Sequence, residues 1–147
     1  MRYWKYLKEK DKSICPFCIL KKEEILDQNQ DFFVIVCRSP YSKDHFMIVP
    51  KRHIIFLDEM TAKEYSNFWK IIRKRNAKLH EFHENVWMML RDSTASVKHW
   101  KTIDHLHFHL IPDCIIGALW KRNASTREYF EEDKYFEMIE KTRKKYL

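Results

Sequence analysis

Glycine is almost missing from this chain, with one in 147 residues. Phosphate loops of the Walker and Rossmann kinds need several glycines for their turns and for close backbone approach, so both readings are excluded. Long apolar runs are missing as well. The longest, such as Phe32 to Cys37, extend over about six to eight residues, far short of the ~20 that span a bilayer. Met1 to Ile14 mixes charges with aromatics and lacks the apolar centre of a secretory signal. A soluble, cytoplasmic protein with no membrane partner is expected. No stretch rich in Pro, Gly or Ser divides the chain, and no repeat or low-complexity tract is visible, so one domain with one active centre is expected. The four cysteines make a poor disulfide framework, because Cys37 and Cys114 stand alone in apolar segments. Cys15 and Cys18 form a C-P-F-C pair, whose natural use is metal or redox chemistry.

What is present is a globular composition, 45% hydrophobic and 15% aromatic. The formal charge of +7 favours an acidic partner, either a phosphorylated small molecule or a nucleic acid. Part of it is read as a solvated helix end at Lys141, Arg143, Lys144 and Lys145, favourably placed against the helix dipole.

Period-2 alternation with β-branched and aromatic residues predicts strands at Phe32 to Cys37, His45 to Val49, Val86 to Leu90 and His105 to Ile111, two of them stopped by Pro50 and Pro112. Thr61-Ala62-Lys63-Glu64 has the form of a capping box. It opens a helix with Tyr65, Phe68, Trp69, Ile72, Leu79 and Phe82 at helical spacing. A second helix is expected from about Thr126 to Lys145, with Tyr129, Phe130, Phe136 and Ile139 as its apolar stripe. Between strands, Arg91 to Lys101 reads as a polar loop. The fold class that follows is α+β, with antiparallel strands and helices packed against them.

The densest chemistry lies in Thr102 to Pro112, TIDHLHFHLIP, where three of the eight histidines alternate with apolar residues. In an extended strand His105, His107 and His109 share one face, ~6.6 Å from one to the next. A solvent-facing polar face would be the preferred explanation of one lone histidine, but it explains three in alternation poorly. One metal held by all three is awkward, since the outer two backbones stand ~13 Å apart. A division of labour fits better: a metal ligand at one end, a nucleophile in the middle and an anion donor at the other end. Cys15 and Cys18 offer two thiolates, His53 a third ligand and one of the three strand histidines a fourth, the composition of a tetrahedral zinc site. A thioredoxin-like use of the pair lacks its βαβ context. His80 and His83 at a helix end read as a solvated pair.

His105-Leu106-His107-Phe108-His109-Leu110-Ile111-Pro112 resembles the signature of the histidine triad (HIT) proteins. Asp44-His45-Phe46-Met47-Ile48-Val49-Pro50-Lys51-Arg52-His53 is similar to the family's H-x-x-x-x-P-K-x-H segment, and the C-x-x-C pair and Gly117-Ala118-Leu119-Trp120-Lys121 look like those of its zinc-containing bacterial branch. The resemblance implies a HIT domain over 15–121, an N-terminal extension over 1–14 and a C-terminal helical segment over 122–147 packed on the same domain. It also implies an antiparallel sheet of about five strands flanked by helices and continued across a two-fold homodimer. The implied activity is hydrolysis or transfer at the α-phosphorus of a nucleotide through a nucleotidyl-histidine. His107 would then be the nucleophile, His109 a donor to phosphate oxygens, and His45 and Thr102 their companions. Structural zinc would sit on Cys15, Cys18, His53 and His105.

Two departures bear on substrate. The family's glycine-rich loop is replaced by Arg91 to Lys101, so Lys98, His99 and Lys101 become candidate substrate contacts, with Trp120 beyond them. Where many members carry a ribose-binding aspartate this chain has Cys37, a thiol poorly suited to a diol. Two other readings stay open. One is a non-catalytic nucleotide-binding or scaffold module. The other is a nucleic-acid-processing member, suggested by the aromatics and lysines interleaved from Met1 to Lys8, although that segment reads equally as a short amphipathic helix packing on the dimer.

Overall fold

The computed structural model describes residues 1–96, 101–114 and 125–147. Helix α1 (Tyr3–Glu9) is followed by β1 (Ile25–Gln28), β2 (Phe32–Val36), β3 (Phe46–Pro50), α2 (Ala62–His80), β4 (Val86–Leu90), β5 (Phe108–Pro112) and α3 (Glu132–Tyr146). The strands form one antiparallel sheet in the order β1-β2-β3-β5-β4. β1 has no counterpart among the strands expected from sequence. Four residues with Leu26 alone buried carry too little alternation to be read.

Pleating sends alternate residues to two different cores. Phe32, Val34 and Val36 of β2, Phe46 and Ile48 of β3, and Leu106, Phe108 and Leu110 pack on Phe68, Ile71, Ile72 and Leu79 of α2 and on Tyr135, Ile139 and Tyr146 of α3. Ile35, Met47 and Val49 face the other way, onto Phe17 of the N-terminal segment. With both faces covered, β3 and β5 are buried at every position. Each large apolar side chain withdrawn from water there contributes roughly 1.5–3 kcal/mol before entropy is counted.

Several sequence expectations shift in detail. The expected strand from His105 begins only at Phe108, because the Leu106 amide donates to the Ile54 carbonyl at 2.7 Å instead of joining the β3 ladder. α3 starts at Glu132, not Thr126. Tyr129 and Phe130 precede it, and its buried stripe is Tyr135, Ile139, Thr142 and Tyr146. On and just after α2, Trp69 and Phe82 are exposed while Arg75 is buried, paired with Asp27 of β1 at 3.2 Å. The C-terminal cations are not all solvated either: Arg143 donates to the Ile25 carbonyl at 2.6 Å, and Lys145 meets Asp44 at 2.6 Å. His83 is largely buried between Asp44 (2.8 Å) and Asp113 (2.5 Å), both held at positive φ. Among the described residues no helix is long and apolar enough to cross a membrane.

The capping box at Thr61 is complete. Glu64 N–H donates to Thr61 Oγ1 at 3.2 Å, and Thr61 N–H donates to Glu64 Oε2 at 2.7 Å. Arg52 adds a two-pronged contact to the same carboxylate, at 2.9 and 3.0 Å. The helix start is thereby tied to the segment that carries His53. The Arg52 guanidinium, with the Thr61 bonds behind it, holds the Glu64 carboxyl down at about 2. Glu64 therefore contributes stability above the ordinary carboxylate range and loses it as pH falls towards 2. The expected result is that Glu64→Ala costs about 1–2 kcal/mol in urea unfolding at neutral pH, mostly through the cap because the ion pair is half exposed. The gap from wild type should close between roughly pH 4.5 and 2. A gap that stays constant with pH would refute it.

Candidate active site

The side of the sheet away from α2 and α3 carries the histidines. His109 stands on β5 opposite Met47 of β3 and Met89 of β4. His105 and His107 lie just ahead of the strand, yet the alternation survives, since Leu106 and Phe108 turn to the helix-side core. All three rings are buried, as is His45.

Hydrogen bonds assign their tautomers. The Tyr41 amide donates to His45 Nδ1 at 3.2 Å, so that nitrogen is an acceptor and the proton is on Nε2. His45 Nε2–H then donates to His109 Nδ1 at 2.8 Å, which leaves His109 with its proton on Nε2. That Nε2 is buried and has no partner among the described residues. His107 bonds the other way: its Nδ1–H donates to the His105 carbonyl at 2.8 Å, so its Nε2 keeps the lone pair. A lone pair and an N–H thus stand side by side on rings 4.9 Å apart. Burial is the main reason that both rings titrate low, His107 at about 4 and His109 well below the usual imidazole range. Neutral His107 is the form a nucleophile needs.

Both histidines open into a pocket lined also by Cys37, Tyr41, Thr102, Arg38, Arg91 and Arg127. Thr102 Oγ1 shares a 2.7 Å hydrogen bond with Tyr3 of α1. Cys37 is buried, which pushes its thiol up to about 11 and keeps it uncharged. Lys101 does not reach the pocket. It is buried, with its ammonium donating to the carbonyls of Ser93 and Ile55 (3.4 Å to the latter). Lys98, His99 and Trp120 lie outside the described residues. Sequence reasoning missed Tyr3, Ser39 and the three arginines, which arrive from segments with no shared motif. Two of the three aromatics of α1 are engaged within the chain, Tyr6 stacking on Tyr129 at 3.8 Å with Tyr3 beside them, while Trp4 is exposed.

A second cluster borders the first. One ligand atom from each of Cys15, Cys18, His53 and His105 lies within 4.8 Å of all the others. Cys18 Sγ is 3.1 Å from His53 Nδ1, and Cys15 Sγ is 3.3 Å from His105 Nδ1. The edges of a tetrahedral S2N2 zinc site run to about 3.3–3.8 Å, given Zn–S and Zn–N bonds near 2.3 and 2.0 Å. The S···N contacts of 3.1, 3.3 and 3.6 Å are close to these edges, the widest separation of 4.8 Å is about 1 Å longer, and the donor set has the chemistry that zinc takes. His105 Nε2–H also donates to the Pro50 carbonyl at 2.8 Å, which turns its Nδ1 lone pair toward the sulfurs.

The sequence model of the HIT domain matches residues 21–114. A bifunctional bis(5'-adenosyl)-triphosphatase/adenylylsulfatase of Arabidopsis thaliana is 24% identical over 113 residues, 69% of this chain and 61% of that protein. An adenosine 5'-monophosphoramidase of Schizosaccharomyces pombe is 24% identical over 102 residues, 67% of this chain and 73% of that one. Among solved structures, a zinc-bound histidine triad family protein from Mycobacterium smegmatis superposes with a TM-score of 0.62 at 14% identity, covering 91% of this chain and 96% of the other.

Proposed function

Because the chain belongs to the HIT domain family, we propose that it is a nucleotidyl hydrolase or transferase that cleaves a phosphoramidate, phosphoanhydride or phosphoester at the α-phosphorus of a nucleotide. The observation that carries the reading is the opposed tautomers of His107 and His109 inside one cationic pocket. Relatives named as a bis(5'-adenosyl)-triphosphatase and an adenosine 5'-monophosphoramidase support it.

In this reading His107 Nε2 attacks phosphorus and forms a P–N bond as the amine, alcohol or phosphate leaves. His107 Nδ1–H stays on the His105 carbonyl, which offsets the positive charge that grows on the ring. His109 Nε2–H donates to a phosphate oxygen, and the His45 relay keeps it a donor throughout. Thr102 offers its hydroxyl to the same phosphate or, through Tyr3, holds α1 over the site. Water then cleaves the phosphoramidate and regenerates neutral His107. Splitting one displacement into two is the gain of covalent catalysis. Cys15, Cys18, His53 and His105 would hold a structural zinc, which would fix His105; the His105 carbonyl aims His107. We read the HIT domain as 15–121 with the C-terminal segment packed on it. The molecule is a homodimer in this account, and a nucleic-acid substrate is not favoured, because Tyr3 and Tyr6 are already stacked within the chain.

The test is an alkaline denaturing quench of the protein mixed with adenosine 5'-phosphoramidate, conditions in which a P–N bond to imidazole survives, followed by intact mass measurement and peptide mapping at the same high pH. An adenylyl group on the peptide containing His107 is expected. Turnover with no adduct at any quench time, or an adduct elsewhere, would sink the assignment.

A further inference from the structure

Three donors in the pocket have nothing to donate to among the described residues: Ser39 Oγ, Arg127 Nε and His109 Nε2, each shielded from water. An unsatisfied buried donor costs about 1–3 kcal/mol, so three in one cavity point to a ligand that accepts from them. His109 is accounted for by the reacting phosphate. Ser39 and Arg127 are not.

These two are held together. Arg127 Nη1 donates to the Ser39 carbonyl at 3.0 Å, which orients the guanidinium and leaves its Nε–H free. The guanidinium carbon lies 3.9 Å from the Tyr41 ring centroid and 4.7 Å from that of Tyr3, contacts that fix its plane. Tyr41 in turn takes a 2.8 Å hydrogen bond from Arg91, which also lines the pocket. Ser39 itself is 5% exposed and sits two residues beyond Cys37. Against the three arginines, Glu24 is the one carboxylate among the pocket residues described. An oriented guanidinium edge, a serine hydroxyl and a second guanidinium make a receptor for a tetrahedral dianion. A neutral sugar would leave this charge unanswered.

We propose that Arg127 and Ser39, with Arg91, form a second anion subsite that receives a further phosphate carried by the substrate, in addition to the one at His107 and His109. This rests on the nucleotide reading of the pocket and narrows it to substrates with at least two phosphates. The extra phosphate stands either on the polyphosphate chain or on the ribose, where a neutral thiol at Cys37 leaves room for charge.

The experiment is calorimetric titration of the full chain with AMP, ADP, adenosine 3',5'-bisphosphate, phosphate and pyrophosphate, in wild type, Arg127→Gln, Arg127→Lys and Ser39→Ala. One of the two bisphosphorylated nucleotides should bind at least about tenfold more tightly than AMP, the scale of one added charge-assisted contact, and which one does so locates the phosphate. Arg127→Gln should abolish that preference, weakening the preferred bisphosphate far more than AMP, and Arg127→Lys should restore part of it. Ser39→Ala, which removes one unpaired hydroxyl and should not lower the melting temperature, should reduce the preference by a few-fold. Equal binding of AMP and both bisphosphates by wild type would overturn the subsite, as would equal weakening of AMP and the preferred bisphosphate in Arg127→Gln. If AMP does not bind at all, the nucleotide reading fails separately. Pyrophosphate then decides: binding that is tighter than phosphate and lost in Arg127→Gln supports the subsite, and indifference to the substitution rejects it.

Discussion

The His107→Ala protein is expected to turn over a nucleoside phosphoramidate at least about 10^4-fold more slowly than wild type, a loss of roughly 5.5 kcal/mol in transition-state stabilisation. The reason is local. Among the described residues of the pocket, His107 Nε2 is the one imidazole nitrogen whose lone pair the hydrogen bonds leave open, since His109 Nδ1 is taken by His45 and His109 Nε2 bears a proton. In the proposed mechanism no P–N bond would form without it, and water would have to attack directly. His109→Ala should cost less, about 10^2–10^3-fold, because it removes one stabilising donor and leaves the two-step route in place. The adduct would persist in His109→Ala and vanish in His107→Ala. Circular dichroism guards the comparison, since both rings are buried. Equal activities of His107→Ala and wild type would remove His107 from the chemistry, and the reverse order of the two losses would exchange their roles.

The second large effect concerns the cluster at Cys15. About one zinc per chain is expected on elemental analysis. Cys15→Ser/Cys18→Ser protein, or wild type treated with a chelator, should melt on the order of 10 °C lower. The magnitude follows from chain entropy: a metal joining Cys15 to His105 ties positions 90 apart in sequence. Treated like a covalent cross-link, closing a loop of that length disfavours the unfolded state by up to roughly 4.6 kcal/mol. The link also sits one residue from Leu106 and two from His107, so activity should fall with the metal and return when zinc is restored. A protein that contains no zinc at stoichiometric levels, or whose melting is indifferent to the chelator, would reject the clamp.

What the sequence made legible was whatever depended on near neighbours. Alternation along His105 to His109 correctly separates Leu106 and Phe108 from the histidines, because pleat direction is a local property. The true start of β5 is invisible to it, since Leu106 leaves the ladder for Ile54, a partner 52 positions away. The clustering of the cysteine pair with two histidines could be anticipated from ligand chemistry. Lys101 shows the opposite case. A lysine in a polar loop defaults to solvent, yet its ammonium is enclosed by the carbonyls of Ser93 and Ile55, which no local pattern announces. The same holds for Ser39, Arg91 and Arg127, brought together from three connections. Their one faint signal was the +7 charge, which indicated anions without saying where.

The opposed tautomers have a stereochemical consequence. The His107 lone pair and the His109 N–H belong to buried rings 4.9 Å apart, neither free to turn without breaking its bond to His105 or to His45. In the proposed mechanism, a phosphorus held between them would be approached by His107 from one side only, so the leaving group would depart from the far side and the incoming water would enter there too. Each displacement turns the phosphorus inside out, and two in succession return it to its original hand. A nucleotide made chiral at the α-phosphorus by sulfur and isotopic oxygen should therefore leave with the configuration it had on arrival.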